Sequence, residues 1–470
     1  MIKNINSTGF KKFLTNIKLA ISGQELDFTT IPLGKAVLIL SIPMVLEMMM
    51  ESVFAVVDIF FVSKLGADAV ATVGITESLL LLIYAIAFGL SAATTALVSR
   101  RIGEKKSHLA SIEAYQAVIT GLMISVTIAF PGFLFAKNLL AVMGSSPAII
   151  EQFSTYTSIM LGSNAIIMML FINNAIFRGA GNPAIAMKVL WLGNIINLVL
   201  DPILIFGWGP IPAMGIAGAA IATTIGRGIA VIYQLSILFS QGSRIQFKQV
   251  PIKPDWLKIK HLLSISLGGI AQSIIGTSSW LFMMRLVTRF GSEVIAGYTI
   301  SIRIIIFAIL PSWGLSNAAA TLTGQNLGAG KPERAEKAIR SIAAINAVFL
   351  GIISLALIAW PHYFIGLFTN NFEVIAAGSA SLRIIAYGFA FYGVGMVLVQ
   401  SFNGAGDTRT PTIINLVAFW MTEIPLAYLL SIQFKMQANG IYYGILFAES
   451  CLTIFAYYLF KQGKWKTYKI

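Results

Sequence analysis

Three carboxylates interrupt one apolar stretch of the chain, residues 40–66: Glu47, Glu51 and Asp58. The stretch has the length and apolarity of a membrane-spanning helix, where hydrocarbon ordinarily admits no ionised group. At about 100° per residue, steps of four and eleven residues bring Glu51 and Asp58 within roughly 40° of Glu47. All three therefore share one face. Because lipid excludes such groups, we expect this face to line a cavity between helices and to be functional.

A second group of polar residues falls at a similar predicted depth. Asp201 and Asn197 lie late in another apolar stretch, and Pro202 leaves a backbone carbonyl one turn earlier without its helical partner. Glu77 lies early in a stretch that runs in the opposite direction. Oxygen ligands of these kinds suit hard cations such as Na⁺, and carboxylates clustered at low dielectric can also carry protons. We therefore predict a site for a coupling cation, formed by Asp58, Asn197, Asp201 and Glu77.

The remaining polar residues of the spans suggest a path for a substrate. We expect this cavity to be lined by Glu47, Glu51, Met48 and Glu423, with methionine as an adaptable apolar surface. A structural interpretation stays open, since a buried acid can simply bind a neighbouring helix, and ordinary helix packing explains Met48 equally well.

Composition places the chain in the membrane. Of its 470 residues, 57% are hydrophobic and only 11% are charged, so we expect an integral membrane protein. The net charge of +14 does not indicate nucleic acid, because the basic residues fall between the apolar runs. A single cysteine and three scattered histidines favour neither disulfides nor a metal site. We find no catalytic motif and expect neither an enzyme nor a cofactor.

Apolar runs of 18 residues or more indicate about twelve spans. We place them at residues 36–62, 70–99, 111–136, 153–177, 184–207, 213–239, 259–287, 296–323, 338–366, 376–402, 412–433 and 440–460. An even number puts both termini on one side, and the loops of that side carry most of the Lys and Arg residues. The positive-inside rule then predicts cytoplasmic termini and a multi-pass protein of the inner (cytoplasmic) membrane.

The chain also repeats itself at an offset of 225 residues. Gly66 matches Gly291, and the same register later pairs the segment at 179–181 with that at 404–406. Each half has six spans, so we predict an all-α membrane protein of two six-helix lobes related by a pseudo-two-fold axis along the membrane normal. The predicted parts are a cytoplasmic amphipathic N-terminus (1–35), an N-lobe (36–240), a linker (241–256), a C-lobe (257–461) and a basic tail (462–470).

Several motifs together resemble the multidrug and toxic compound extrusion (MATE) family. They are IP at 42–43, VDIFFVSKLG at 57–66, NLVLDPILIFG at 197–207, GQNLGAGK at 324–331 and FNGAGDT at 402–408. Each motif is moderately specific, and their order, spacing and duplication make the combination strong. The resemblance covers nearly the whole chain.

The resemblance implies two lobes around a central cavity that opens alternately to either side. It further implies export of a small, amphipathic and cationic molecule, driven by Na⁺ or protons, by a monomer in the lipid bilayer. In one branch of the family the ion is handled in the N-lobe, and Asp58, Asn197 and Asp201 occupy the matching positions here. Other members use acids on the seventh and tenth helices, and neither span contains an acid in this chain.

Three other functions were weighed. A flippase for lipid-linked oligosaccharides or other lipids, of the same superfamily, would carry extra spans and a more basic cavity. A transporter of the major facilitator type would carry a Gly-x-x-x-Asp-Arg pattern after span two, where this chain has SRRIGEKK. A membrane-embedded enzyme would need a cluster of catalytic side chains within the spans.

Overall fold

The structure, a computed structural model, describes residues 15–240 and 242–470, and their regular structure is helical. We number the spans α1–α12. Their bounds are α1 Leu33–Ser63, α2 Ala67–Gly103, α3 Ser107–Leu134, α4 Pro147–Ala180, α5 Pro183–Phe206, α6 Gly215–Leu238, α7 Trp256–Val287, α8 Ser292–Gly328, α9 Pro332–Ala359, α10 Phe372–Ala386 with Phe389–Ala405, α11 Arg409–Gln433 and α12 Ala438–Lys461.

Ten of these helices, among the described residues, are long and apolar enough to cross a membrane, and the two parts of α10 form an eleventh, bent by 55°. Helix α1 has 31 residues, which is about 46 Å of helix against a hydrocarbon core of about 30 Å. The predicted all-α fold with twelve spans in two lobes is therefore confirmed. Most of the predicted amphipathic N-terminus, residues 1–14, lies outside the described residues, whereas 15–22 are helical.

The internal repeat is visible in the helix bounds. Helices α2 and α8 both have 37 residues, and α3 and α9 both have 28, with starting points 225 residues apart. A short helix follows α3 (Ala136–Val142) and another follows α9 (Pro361–Gly366) at the same offset. The duplicated sequence therefore encodes a duplicated six-helix unit.

Two helices cross between the hydrophobic cores of the lobes. The first half of α1, with Val37, Leu40 and Met44, packs into the C-lobe cluster around α8 and α9. Conversely, Leu262 and Ile265 near the start of α7 belong to the N-lobe cluster. Each lobe therefore contributes its first helix to the core of the other, which holds the lobes together on the side of the helix bundle that carries both chain ends. We call this side the terminal face.

The lobes meet closely at the terminal face, where the ends of α2 and α8 touch through glycine. A Cβ atom added at Gly103 would lie 2.0 Å from the carbonyl oxygen of Gln325, and one at Gly328 would lie 2.2 Å from that of Arg100. Gln325 also donates a hydrogen bond to the carbonyl of Gly179 at 2.9 Å. Glycine is required at 103 and 328 because only bare backbone allows this approach. The arrangement closes the space between the lobes on this face.

The C-terminal tail also spans the two lobes. Trp465 is buried in the C-lobe cluster, and Ile470 packs against the N-lobe cluster. Arg100 donates a hydrogen bond to the carbonyl of Tyr468 at 2.8 Å. Hydrogen bonds to Glu336 and Glu333 raise the pKa of Lys466 above its usual value, which keeps its ammonium charged. The tail thus reinforces the closed terminal face.

Alanine at position 328 should open the terminal face. Its Cβ would meet backbone, so the lobes must separate there, at a cost of about 1–3 kcal/mol for overpacking. That range corresponds to about a 5- to 150-fold change in the ratio of closed to open forms. A cysteine at Gln325, in a Cys451→Ser background, should therefore react faster with a hydrophilic maleimide in Gly328→Ala.

The matched control is Gly276→Ala on α7, where an added Cβ has no neighbour within 4 Å. It should leave labelling of the cysteine at the wild-type rate. Equal rates for the wild type and Gly328→Ala would show that the glycine contact does not hold this face closed.

Candidate functional site

A cavity of about 290 Å³ lies between the lobes. It is lined by side chains from both repeats, and its aromatic residues, Tyr84, Phe88, Phe171 and Trp313, form a connected surface of rings with centroid distances of 5.1–5.9 Å. Its polar C-lobe residues are uncharged. These include Asn317, Gln400 and Asn403. The cavity therefore combines an aromatic wall with charged groups that come only from the N-lobe.

The first cavity acid, Glu47, is paired with an arginine. Its Oε1 atom lies 3.4 Å from Nη1 of Arg178 and accepts a hydrogen bond from Nδ2 of Asn174 at 3.1 Å. Asn174 in turn accepts a hydrogen bond from Gln234 at 2.6 Å. Glu47 is only 1% exposed, so its charge is stable there because the arginine balances it. Its second oxygen, Oε2, has no partner and remains available to a ligand.

The second cavity acid, Glu51, has an equivalent arrangement. Its Oε1 atom lies 3.3 Å from Nη2 of Arg227, whose guanidinium also contacts the hydroxyl of Tyr84 at 3.5 Å. The guanidinium carbon lies 4.8 Å from the centre of the Phe54 ring, within the range of a cation–π interaction. Arg227 is 7% exposed, whereas the side chain of Glu51 is 36% exposed and faces the cavity.

The expectation that this interior is acidic is therefore wrong for the cavity. Four ionisable side chains line it, two glutamates and two arginines, and each acid has its own basic partner. The sequence analysis missed both arginines. Arg227 offered a signal, since an ionisable residue within an apolar span is functional by default. Arg178 gave less, because it precedes a Gly-rich segment that suggests only the end of a helix.

A pair of buried polar side chains on α5 forms a separate site in the N-lobe. Asp201 is 0% and Asn197 is 2% exposed, and Nδ2 of Asn197 donates hydrogen bonds to Oδ1 of Asp201 at 3.1 Å and to Thr223 at 3.2 Å. Oδ2 of Asp201 and Oδ1 of Asn197 are buried without a partner. Unpaired buried oxygens are costly, so their presence side by side fits a place for a proton or a metal cation.

The other predicted members of the cation site lie around this pair. Asp58, half-buried on α1, is within electrostatic reach of Asp201 and Glu77, and it makes no hydrogen bond or ion pair in the described part of the chain. Glu77 is exposed on α2, and Arg303 of the C-lobe acts on it electrostatically. Arg227 acts on both Asp58 and Glu77. It therefore stands between the acids of this region and the cavity acid Glu51.

The structure separates the predicted cavity residues into two groups. Met48, Glu47 and Glu51 line the cavity, whereas Glu423 is not among its lining residues. Glu423 lies within the C-lobe, 7% exposed, and accepts a hydrogen bond from Ser279 of α7 at 2.6 Å. Its placement in the cavity is corrected on this ground: the packing of α11 on α7 directs its carboxylate to a neighbouring helix.

The sequence profile of the MatE family matches the chain twice, at residues 43–203 and 270–429. The two matches together cover more than half of the chain and coincide with the two repeats. The double match agrees with the six-helix units found in the structure.

Relatives match over nearly their full length. The probable multidrug resistance protein YoeA of Bacillus subtilis is 24% identical over 90% of this chain and 93% of its own length. The FAD transporter of Shewanella oneidensis is 25% identical over 91% of this chain and 94% of its own. A solved structure described as an outward-facing conformation of a multidrug resistance MATE family transporter is 24% identical, with a TM-score of 0.87 over 93% of this chain and 97% of that chain.

Proposed function

The chain belongs to the MATE family of multidrug efflux transporters, and from this premise we propose that it is an antiporter. It would export an amphipathic small molecule while Na⁺ or a proton moves inward through the N-lobe. Asp58, Asn197 and Asp201 would bind that cation, with Glu77 at the entrance. A flippase is not favoured, because the matched family and the twelve spans fit an efflux transporter.

One observation carries this proposal: Asp201 and Asn197 are buried, and each presents an oxygen without a hydrogen-bond partner. In a membrane interior such oxygens are stable only when a proton or a cation satisfies them. Asp58, within electrostatic reach, adds a second negative charge that attracts the cation. The position of this pair, close to the cavity but not in its wall, would allow ion and substrate to occupy different sites.

Exchange requires that the cation and the substrate favour opposite conformations. The described structure is closed at the terminal face, which the basic loops identify as the cytoplasmic side. We propose that it represents an outward-facing state and that cation binding near Pro202 changes the packing of α5 on α1. The second state would then open the terminal face, where the glycine contacts of α2 and α8 separate.

The charges of the cavity suggest which substrates it binds. Because two arginines balance the two glutamates, cations have no net electrostatic advantage over zwitterions. The unpaired Oε2 atoms of Glu47 and Glu51 would accept hydrogen bonds from a substrate, and Arg178 and Arg227 would donate them to an anionic group. We therefore extend the expected substrates from amphipathic cations to aromatic zwitterions that stack on the rings of Phe88 and Trp313.

Proteoliposomes containing the purified protein test the proposal. We expect efflux of an aromatic fluorescent cation, and of an aromatic zwitterion as a competitor, to accelerate when either an inward Na⁺ gradient or an inward proton gradient is imposed. The two gradients are applied separately, so the one that accelerates efflux identifies the coupling ion. Efflux at the same rate with both gradients and with neither would contradict cation-coupled antiport.

The remaining proposals concern placement. Both termini would lie in the cytoplasm, the protein would span the inner membrane as a monomer, and it would catalyse no chemical reaction. The paired acids and arginines of the cavity serve binding in this scheme, since no step requires a covalent bond to form or break.

A further inference from the structure

We propose that the C-lobe contains a second binding site for a monovalent cation, Na⁺ or a proton, formed by Glu423 of α11 and Glu449 of α12. This site lies in the opposite lobe from the one proposed above and does not require that one to be correct. Its two acids are separated by 26 positions in the sequence and are brought together by the packing of the last two spans.

Glu423 lies at the end of an irregular part of α11. Residues Leu416–Glu423 form a π-helix, a geometry often found at functional sites because it re-aims side chains. The carboxylate, 7% exposed, accepts a hydrogen bond at 2.6 Å from Ser279 of α7. This single neutral donor fixes the position of the side chain but does not balance its charge.

Glu449 faces a break in another helix. Helix α10 bends by 55° between Ala386 and Phe389, and the Oε2 atom of Glu449 lies 3.7 Å from the position that a Cβ atom on Gly388 would take. The carbonyl oxygen of Ile385 lies at the same distance from that position. Oε2 of Glu449 is buried and has no hydrogen-bond partner. The absence of a side chain at Gly388 thus leaves room for a small ligand between a carboxylate and a backbone carbonyl.

Buried tyrosines surround the two acids and supply an independent sign of a ligand. Tyr298 of α8 and Tyr392 of α10 are each within electrostatic reach of both carboxylates. Tyr442 of α12 stacks on Tyr298 with ring centroids 5.9 Å apart, is 1% exposed, and its hydroxyl has no partner. A buried hydroxyl left unpaired beside two carboxylates fits a site whose ligand completes the polar contacts.

The charge of the pair requires a bound cation. Within the described part of the chain neither acid contacts a lysine or arginine, and the two carboxylates repel each other across a short distance. Two like charges at low dielectric cannot both remain ionised without a counter-ion. The N-lobe cavity solves this problem with arginines, whereas the C-lobe pair has none, so a proton or Na⁺ must balance it.

The internal repeat supports the assignment. At an offset of 225 residues, Glu423 corresponds to Leu198, next to Asn197 on α5, and Glu449 corresponds to Thr224, next to Thr223 on α6. The hydrogen-bonded N-lobe group of Asn197, Asp201 and Thr223 is therefore built on α5 and α6, and the C-lobe pair is built on their counterparts α11 and α12. The two lobes thus place polar groups on equivalent helices, although not at identical positions.

Counting the cations bound to the full-length protein in lipid nanodiscs tests this site. If the ligand is Na⁺, the wild type should bind two radioactive sodium ions per chain, and Glu423→Gln and Glu449→Gln should each bind one. If it is a proton, acidification should produce the infrared carbonyl band of protonated carboxyl groups, reduced in both variants. Glu373→Gln, an exposed acid on α10, is the matched control and should behave like the wild type.

Asp201→Asn separates the two proposals. It should remove the N-lobe contribution and keep the C-lobe one, and this measurement also decides the question should the glutamine variants fail to fold. Unchanged sodium binding and an unchanged infrared band in both glutamine variants, or complete loss of both signals in Asp201→Asn, would overturn the C-lobe site. If instead Asp201→Asn matches the wild type while the glutamine variants lose their share, the C-lobe site stands and the N-lobe proposal fails.

Discussion

Asparagine in place of Asp201 should uncouple export from the cation gradient. The change keeps the shape of the side chain and its hydrogen bond from Asn197, but it removes the negative charge that the buried cation needs. A charged hydrogen-bonding partner contributes about 1.5–3 kcal/mol, which corresponds to about a 10- to 150-fold loss in cation affinity. We therefore expect the rate of efflux from proteoliposomes under the coupling gradient to fall to the rate measured without a gradient.

Asp68→Asn is the matched control for this prediction. It makes the same chemical change in the same lobe, at an exposed position in the first turn of α2. Its efflux should still respond to the gradient as in the wild type. Asp58→Asn should resemble Asp201→Asn, since Asp58 acts on the same site. Full gradient dependence in both Asp58→Asn and Asp201→Asn would remove the N-lobe from the coupling mechanism.

Methionine in place of Arg178 should strongly destabilise the protein. The substitution leaves Glu47, 1% exposed, without the positive charge that balances it, and only Asn174 would still contact the carboxylate. Removing one partner of a buried ion pair typically costs about 3–5 kcal/mol. We expect a large fall in the midpoint of thermal unfolding in detergent, unless the carboxylate takes up a proton, in which case the fall should grow as the pH is raised.

The double variant Glu47→Gln with Arg178→Met distinguishes charge from packing. Because it removes both charges, it should recover most of the stability lost by Arg178→Met alone. Lys137→Met, at an exposed site with no ion pair among the described residues, serves as the control for loss of one cation and should unfold near the wild-type midpoint. A double variant no more stable than Arg178→Met would mean that Arg178 contributes through its packing.

Arg227 links the two parts of the proposed mechanism. It pairs with Glu51 at the cavity and acts on Asp58 and Glu77 on the side of the cation site. A cation bound near Asp58 would weaken the attraction of that acid for the arginine, which would then interact more strongly with Glu51. The charge balance of the cavity would thereby respond to the occupancy of the cation site, as exchange requires.

The sequence alone determined the membrane class, the twelve spans, the repeat and the presence of acids in the spans. These properties are local or periodic: an apolar run of sufficient length must span, and a constant offset appears wherever a unit has been duplicated. The predicted first span, 36–62, lies within α1 at Leu33–Ser63, and the repeat offset reappears in the paired helix bounds. Motif order was also sufficient to indicate the family that the profile later matched.

Only the tertiary structure decided which charges meet. Glu47 finds its arginine 131 residues away and Glu51 finds its own 176 residues away, and no short-range pattern specifies such pairs. They arise because helix packing brings the ends of side chains within a few ångströms, so the balance of charge in the cavity is a property of the assembled lobes. The same holds for Glu423 and Glu449, whose approach depends on how α11 and α12 pack against the bend of α10.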